Sequence, residues 1–252
     1  MINSYKLIKY KIFEPFEYLM AFTTTKQTIS EKNPKFTGDS ATAFESSREL
    51  LATTLKIHSN QFIFPRQTHT NCVAEILEIP DNEISKTDAL VTNKYEICLC
   101  IQTADCVPIL LFDPVKNIIS AVHAGWRGTV NKIVENAIQK MVTEYHSSPK
   151  NILAVIGPSI SPDIYEVGNE VVNAVRKSIP NSEFTLKKNS SGKFHFNLWE
   201  ANRQLLLESG LLFKNIEILG ECSFQNSDKY FSARKEGIET GRMVSGIMLL
   251  RK

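Results

Sequence analysis

The chain has 252 residues, of which 42% are hydrophobic and 22% are charged, so its core is large enough to stabilise a fold without disulfides. The formal net charge of +2 and the scattered lysines exclude the basic surface expected of a protein that binds nucleic acid or an anionic membrane. Five cysteines at irregular spacing indicate reduced thiols. Because the chain shows neither a signal-peptide pattern nor a membrane-spanning apolar run, we expect a cytoplasmic protein.

The first predicted elements are a loop and a helix. The polar stretch 23–39 predicts a surface loop, and the apolar spacing over 40–57 predicts a helix that Asp39 or Ser40 caps. The pattern then changes to short apolar segments, often β-branched and bounded by polar residues, which predict strands. These segments are 62–64, 72–77, 89–91, 97–101, 107–112 and 118–122.

The second half of the chain mixes helices and strands. The predicted helices are 128–145, 169–176 and 198–209, the last with Asn197 as its cap, and the predicted strands are 152–156, 216–219 and 244–250. The strands cluster instead of alternating strictly with helices, which argues against a doubly wound parallel sheet. We therefore expect a mixed α/β (α+β) fold in one domain, residues 1–252, with helices covering the outer faces of its sheets.

Three segments carry residues suited to chemistry: PRQTHT with His69, TADCVP with Cys106, and VHAGWRGT with His123. Each residue lies at or near the end of a predicted strand, and rigid strands that meet at their ends can hold side chains in fixed positions. Two imidazoles and a thiolate suit zinc and leave its fourth position for water or substrate. The same ligands would also accept copper.

A thiol nucleophile is the alternative interpretation of these residues. Cys106 with His123 as its base would form a Cys–His pair, and Asp105 could orient the histidine. This interpretation gives His69 no role, whereas the metal interpretation uses all three residues. A third interpretation is a buried cysteine with two hydrogen-bonded histidines.

Two further features have both a functional and a structural interpretation. Cys98 and Cys100 point to one face of a strand, where they could bind metal or serve as small packing residues. The Gly-Trp-Arg-Gly segment offers backbone amides and the Arg127 guanidinium to an anion. Its structural interpretation places Trp126 in the core and Arg127 in an ion pair.

Several segments together resemble the multicopper polyphenol oxidase (laccase-like) family, which is also described as a purine nucleoside phosphorylase and adenosine deaminase family. The resemblance runs from about residue 48 to the C-terminus, and TADCVP followed by HAGWRG is its most specific part. The segments are RQTHT, TDALVTN, TADCVPILLFDP, AVHAGWRGT, AVIGPSISPDIYEVG, ANRQLLLESG and FSARKEG-IETGR.

The resemblance implies a single domain with an α/β/β/α layered arrangement and metal ligands at His69, Cys106 and His123. It also implies phosphorolysis of adenosine, inosine, guanosine and methylthioadenosine, and hydrolytic deamination of adenosine. We expect zinc as the cofactor, with copper possible, and purine nucleosides and phosphate as the small-molecule partners. Neither nucleic acid nor membrane is expected as a partner.

The remaining site predictions concern substrate and protons. Arg48, Arg127 and Arg234 are candidates for neutralising phosphate, Gln67 is a further substrate-binding candidate, and Asp105 is a candidate for proton handling alongside the catalytic Cys106 and His123. The family's second C-terminal arginine is Lys235 here, and lysine cannot reproduce a bidentate arginine contact. Ser159 and Asp163 replace cysteines that many members carry, which removes two additional copper ligands.

Two other activities compete with this prediction. One is copper-dependent oxidation of phenols, but five histidines are too few for the paired histidine motifs of a full multicopper centre. The other is hydrolysis of an amide in cell-wall precursors, with Cys106 or a zinc-activated water as the nucleophile. Metal storage or partner binding without catalysis is a further possibility.

Overall fold

The computed structural model describes residues 7–29, 31–38, 44–80 and 83–251. In these residues the α-helices are α1 (Glu45–Leu55), α2 (Trp126–Val130), α3 (Ile133–Tyr145), α4 (Asn169–Ser178), α5 (Leu198–Glu208) and α6 (Ala233–Glu236). The strands are β1 (Leu7–Ile8), β2 (Leu19–Thr24), β3 (Phe62–Ile63), β4 (Val73–Glu75), β5 (Ala89–Thr92), β6 (Cys98–Thr103), β7 (Val107–Asp113), β8 (Ile118–Ala124), β9 (Leu153–Ile156), β10 (Glu166–Val167), β11 (Leu186–Lys188), β12 (Phe194–Phe196), β13 (Ile216–Ile218) and β14 (Met243–Leu249).

The strands form two large mixed sheets and one small sheet. The five-stranded sheet has the order β1-β2-β14-β6-β3, and the six-stranded sheet has the order β13-β9-β7-β8-β5-β4. Most neighbours are antiparallel, but β3 with β6, β4 with β5 and β13 with β9 are parallel pairs. The small antiparallel sheet has the order β10-β12-β11. This mixture of pair directions agrees with the prediction against a doubly wound parallel sheet.

The two large sheets pack face to face. Leu99 and Ile101 of one sheet and Leu110 and Phe112 of the other belong to one buried cluster between them. The opposite face of the six-stranded sheet is covered by α3, α4 and α5, and the opposite face of the five-stranded sheet is covered by α1. The predicted α/β/β/α arrangement is therefore confirmed.

The central strand β7 shows why the sequence produces this layering. Val107, Ile109 and Leu111 pack under the helices, whereas Leu110 and Phe112 face the other sheet. Because successive side chains point to opposite faces, a strand covered on both sides must be apolar throughout. The continuous run VPILLF is that pattern.

The sequence-based boundaries differ from the structure in several places. Helix 128–145 is two helices, α2 and α3, because Lys132 adopts a left-handed backbone with φ 64°. The loop predicted over 23–39 begins inside β2, and β1, the small sheet and α6 were not predicted. These missed elements are short, and their apolar periodicity is weak.

Helix ends were predicted with mixed success. Asn197 is confirmed as the cap of α5, where its side chain accepts a hydrogen bond from the Glu200 amide at 3.0 Å. The predicted caps Asp39 and Ser40 lie outside the described residues. Among the helices of the described residues, none has the length and apolar character needed to cross a membrane.

Candidate metal centre

The three predicted metal ligands meet at one end of the six-stranded sheet. Cys106 directly precedes β7, and His123 is the penultimate residue of the neighbouring strand β8. His69 lies in the loop before β4, at the far side of the sheet order. One candidate ligand atom from each of the three residues lies within 4.8 Å of the other two.

The geometry of the three side chains leaves a small space between them. Cys106 Sγ lies 3.8 Å from His69 Nε2, and the two imidazole rings are 4.9 Å apart with an interplanar angle of 73°. A β-carbon on Gly125 would lie 2.9 Å from Cys106 Sγ and 3.0 Å from a carbon of the His69 ring. Only glycine therefore leaves this space open, and the donor set around it fits zinc.

Asp88 is the residue that holds the centre together. Its fully buried carboxylate accepts a hydrogen bond from His123 Nδ1 at 2.7 Å, which directs Nε2 of that ring toward the other ligands. It also accepts bonds from the backbone amides of Thr68, His69 and Thr70, at 3.2, 3.1 and 2.7 Å. One carboxylate thus orients one histidine through its ring and the other through its backbone, as carboxylates behind metal-binding histidines commonly do.

Two residues of the centre have a left-handed backbone. His69 has φ 60° and Asp105 has φ 85°, a conformation that costs free energy in residues other than glycine. For His69, the hydrogen bond from its own amide to Asp88 stabilises this conformation. The strain places the His69 side chain where an ordinary strand backbone would not.

The charges within the centre favour a thiolate beside an imidazolium. Burial opposes ionisation of Cys106, but the neighbouring His123 and His69 outweigh burial and lower the pKa of its thiol to about 6. Burial also opposes the charge on His123, but Cys106 and Asp88 raise the pKa of that imidazole to about 9. For Asp88, burial is outweighed by the bonds from His123 and Thr70, so its pKa is about 2. Cys106 is therefore ionised at neutral pH, as metal ligation requires.

Asp105 is anchored by contacts other than the histidine. Its carboxylate accepts a 2.6 Å bond from the Ser223 hydroxyl and a 2.7 Å bond from the backbone amide of Arg234. The carboxylate that orients His123 is Asp88, so the prediction that Asp105 orients this histidine is wrong. The reason is tertiary: Asp105 is next to Cys106 in sequence, but its side chain faces the loop before α6.

Two exposed arginines lie around the same site. The Arg234 guanidinium is 5.3 Å from the Tyr165 ring, and it donates long bonds of 3.4 Å to the Glu166 carbonyl. Arg127 packs against Trp126 and lies 3.8 Å from Glu170. Burial raises the pKa of Tyr165, and the charges of Cys106, Arg234, Asp105 and Arg127 also act on this group. Tyr165 therefore links Arg234 electrostatically and by contact to the candidate metal centre.

Two other predicted residues are used by the fold. Both polar ends of the Gln67 side chain bond the backbone of Gln102, at 2.8 and 2.7 Å, and so tie the His69 loop to β6. The Arg48 guanidinium donates to the Phe36 carbonyl at 2.8 and 2.6 Å and lies against the Phe44 and Phe64 rings. Substrate binding by Gln67 and Arg48 stays a prediction.

Three residues of the site were missed by reasoning from the sequence: Asp88, Tyr165 and Arg242. The half-buried Arg242 interacts electrostatically with Cys106 and Asp105. Its guanidinium donates hydrogen bonds to the backbone carbonyls of Ile238 and Gly241. Asp88 had a recognisable signal, because an acidic residue directly before a buried strand is unusual unless it is bonded. Tyr165 and Arg242 lie in the segments that carried the family resemblance.

The fold and the site together define a class: single-domain α/β/β/α proteins with a His–Cys–His cluster at the end of one sheet. The family model described as multi-copper polyphenol oxidoreductase laccase matches residues 21–250. The chain belongs to this family.

Relatives and solved structures agree with this assignment. A purine nucleoside phosphorylase of Bacteroides thetaiotaomicron is 35% identical, over 97% of this chain and 96% of its own. Adenosine deaminase RL5, from an unknown prokaryotic organism, is also 35% identical, over 96% of this chain and 98% of its own.

Two crystal structures share the fold. The hypothetical protein YfiH of Bacillus licheniformis has a TM-score of 0.89 at 27% identity, covering 99% of this chain and 98% of its own. YlmD of Geobacillus stearothermophilus has a TM-score of 0.87 at 29% identity, with 94% of each chain covered.

Proposed function

We propose that the protein is a zinc-dependent enzyme acting on purine nucleosides, with phosphorolysis of adenosine, inosine, guanosine and methylthioadenosine and hydrolytic deamination of adenosine as its reactions. The observation that carries this proposal is the cluster of His69, Cys106 and His123 beside exposed arginines. The names of the relatives, purine nucleoside phosphorylase and adenosine deaminase, supply the substrate class.

His69, Cys106 and His123 would hold the metal. Zinc supplies Lewis acidity in such a site, because it polarises a substrate atom and lowers the pKa of a water at its open position. His69 is exposed and Cys106 is half-buried, so solvent and small substrates reach this side of the cluster. Asp88 keeps His123 in the tautomer whose Nε2 can act as a ligand.

Phosphorolysis needs a second feature, a place for the attacking phosphate. Phosphate displaces the base at C1′ of the ribose, and cationic side chains that offset its charge favour that approach. Arg234 and Arg127 are our candidates for binding this phosphate, because both guanidinium groups are exposed and interact electrostatically with Tyr165 in the site. Asp105 fixes the Arg234 backbone and remains our candidate for proton handling during base departure or deamination.

The deciding experiment is product analysis by chromatography and mass spectrometry. Protein of known zinc content is incubated with adenosine, with and without phosphate. We expect adenine and ribose 1-phosphate only when phosphate is present, and inosine in both conditions. His123→Ala should lose zinc and both activities together, whereas His146→Asn, which changes an exposed histidine, should retain them.

The same experiment can reject the proposal. Unchanged adenosine from zinc-loaded protein would remove the nucleoside assignment. Phosphorolysis that survived in metal-free His123→Ala would remove the zinc-centred mechanism. Arg234→Gln separates the reactions further: we expect a higher KM for phosphate and a smaller effect on deamination, because only the former reaction uses the anion.

The family description and the Cys106 environment each favour one alternative. Copper-dependent phenol oxidation is tested by oxygen uptake that scales with one bound copper, since the described residues contain a single group of three or more His, Cys, Asp or Glu side chains suited to a metal. Thiol-dependent amide hydrolysis is supported by the chain of contacts from Asp88 to His123 to Cys106. Covalent labelling of Cys106 by an electrophile in zinc-loaded protein would favour this second alternative.

A further inference from the structure

Four sulfur-containing residues belong to the hydrophobic cluster between α1 and the five-stranded sheet, away from the candidate metal centre. Cys98 and Cys100 are both fully buried, and their Sγ atoms are 3.6 Å apart. Met248, fully buried, belongs to the same packed cluster, and half-buried Met20 packs against it. Neither the metal centre nor the proposed reaction uses these residues.

The strand register brings the four residues to one place. β14 lies between β2 and β6, and Met248 is directly opposite Met20. On the other side of β14, Gly246 is opposite Cys100 and Ile247 is opposite Leu99, the last pair of that ladder, and Met248 lies on the same face of β14 as Gly246. Residues two apart in a strand share a face, so the two thiols lie on the face of the sheet that Met248 and Met20 also line.

The two thiols already have the separation of metal ligands. Metal–sulfur bonds of about 2.3 Å at a tetrahedral angle hold two thiolates about 3.8 Å apart. The observed 3.6 Å is close to this value, and both cysteines are carried by one rigid strand. Little movement is therefore needed to place a cation between them.

The donor type restricts which cation fits. Thiolate and thioether sulfur are soft ligands that suit both monovalent copper and zinc. Structural zinc takes four protein ligands, whereas Cu(I) is stable with two or three sulfur ligands, which is the number available here. The two cysteines belong to a buried hydrophobic cluster that includes Phe22, Leu51 and Val244. An environment of this kind disfavours water and hydrated divalent ions.

The charge of the environment also suits a copper–dithiolate complex. Arg48 interacts electrostatically with Cys100. Among the described residues, no carboxylate lies within ion-pair distance of the Arg48 guanidinium. Burial and the neighbouring Cys98 raise the pKa of the Cys100 thiol. A complex of one Cu⁺ and two thiolates has a net charge of −1, which the guanidinium would offset.

We propose that Cys98 and Cys100, assisted by the thioether of Met248, form a second metal site that binds one Cu(I) ion. Binding forms two copper–sulfur bonds and releases two protons, one from each thiol, and the copper stays in the same oxidation state. The site goes beyond the proposed nucleoside chemistry, because it lies in the other sheet and uses none of the residues assigned to zinc.

Helix α1 is the cover through which copper would enter. It buries four side chains, Ser47, Leu51, Ala52 and Leu55, and its N-cap residue Phe44 makes no side-chain capping bond. An uncapped helix with a narrow buried face opens locally at lower cost than the rest of the core.

The test is a Cu(I) titration of the full chain, reduced, free of oxygen and already loaded with zinc. Bicinchoninate competes for the copper and reports it by colour, and a second indicator reports released zinc. We expect wild type to take one equivalent of Cu(I) without losing zinc. The Cys98→Ala/Cys100→Ala variant should take none, whereas Cys72→Ala, which removes the exposed thiol, should still take one.

Far-UV circular dichroism and retained zinc establish that the double variant is folded. If it does not fold, Met248→Leu conserves apolar volume and removes only the thioether, so copper should be lost at lower competitor concentration than in wild type. X-ray absorption at the copper edge should show sulfur ligands only. The proposal is overturned if wild type takes no copper, if copper displaces zinc, or if the variants retain copper as wild type does.

Discussion

At the scale of single residues, Asp88 has the widest influence on the candidate metal centre. It bonds the ring of His123 and the backbone on both sides of His69, so it fixes two ligands that belong to different segments. The sequence indicated the ligands because imidazole and thiolate are recognisable metal donors. The position of Asp88 directly before a buried strand indicates a bonded carboxylate, but it does not indicate the partner, because His123 lies 35 positions away.

Replacing Asp88 with asparagine tests this role. A side-chain amide at position 88 cannot accept bonds on both of its polar atoms, so we expect Asp88→Asn to lower zinc affinity by about 10- to 100-fold. The measurement is competition with a chromophoric chelator at constant pH. Asp113→Asn is the matched control, because Asp113 is an equally buried carboxylate that accepts the Val115 and Lys116 amides at the opposite end of β7.

The effect of Asp88→Asn on zinc binding can be distinguished from a general loss of stability. Both variants should lower the free energy of unfolding. Asp88→Asn weakens the bonds to the backbone amides around His69, and Asp113→Asn puts an amide group where the buried Asp113 Oδ2 has no hydrogen-bond partner among the described residues. Only Asp88→Asn should weaken zinc binding. Equal zinc affinities in the two variants would contradict the positioning role of Asp88.

The pKa values of the ligands predict how zinc binding depends on pH. Between about pH 6 and 9 the free protein carries Cys106 as a thiolate and His123 as an imidazolium. Zinc needs the neutral imidazole, so binding should release one proton from this pair, and affinity should rise about tenfold per pH unit within that window. Above about pH 9 this contribution should disappear, because His123 has already lost its proton.

Two measurements give the number of protons released on zinc binding. One is the zinc affinity at several pH values, and the other is calorimetry in buffers of different ionisation enthalpy. His146→Asn should leave the slope unchanged, because that histidine is exposed and its left-handed backbone, φ 56°, tolerates asparagine. An affinity that did not change between about pH 7 and 8.5 would contradict the imidazolium–thiolate assignment.

At the scale of secondary-structure elements, the sequence predicted the strands correctly where their apolar pattern was continuous. The central strands β7 and β8 were predicted because both of their faces are buried and their sequences are therefore apolar. The break between α2 and α3 was not predicted, because the apolar spacing continues through Asn131 and Lys132. The left-handed turn at Lys132 lets α2 contact α4 and α5 as well as α3.

The cap of α5 gives a test at this scale. Asn197→Ala removes the side-chain acceptor of the Glu200 amide, and we expect the free energy of unfolding to fall by about 1 kcal/mol. Urea denaturation followed by circular dichroism measures this change. Asn173→Ala is the control, since Asn173 is exposed within α4 and alanine favours a helix, so no loss is expected there.

The cap prediction has a clear contrary result. If Asn197→Ala and Asn173→Ala changed stability equally, the hydrogen bond of Asn197 would contribute nothing to the start of α5. A reduced dependence of stability on urea concentration would instead mean that the variant no longer unfolds in one step.

At the scale of the whole molecule, the site is made by packing segments that are remote in the chain. Cys106 and His123 come from neighbouring antiparallel strands, or directly before one. The His69 loop is held beside them by the bonds from its backbone to Asp88, just before β5, and by the bonds between Gln67 and Gln102 of β6. The same packing sets Arg234, near the C-terminus, beside Asp105. Both large sheets and the segment containing α6 therefore take part in one centre.

The sequence by itself determined the class of the fold, the apolar strands, the cap of α5 and the three residues suited to a metal. These features depend on side-chain type and on spacing within one segment, which a sequence displays directly. Only the tertiary structure decided that Asp88 and not Asp105 orients His123, and that Gln67 bonds to β6. It also decided that Cys98, Cys100 and Met248 belong to one buried cluster under α1. Those relations depend on strand register and on contacts between distant segments, which are set by the packing of the whole chain.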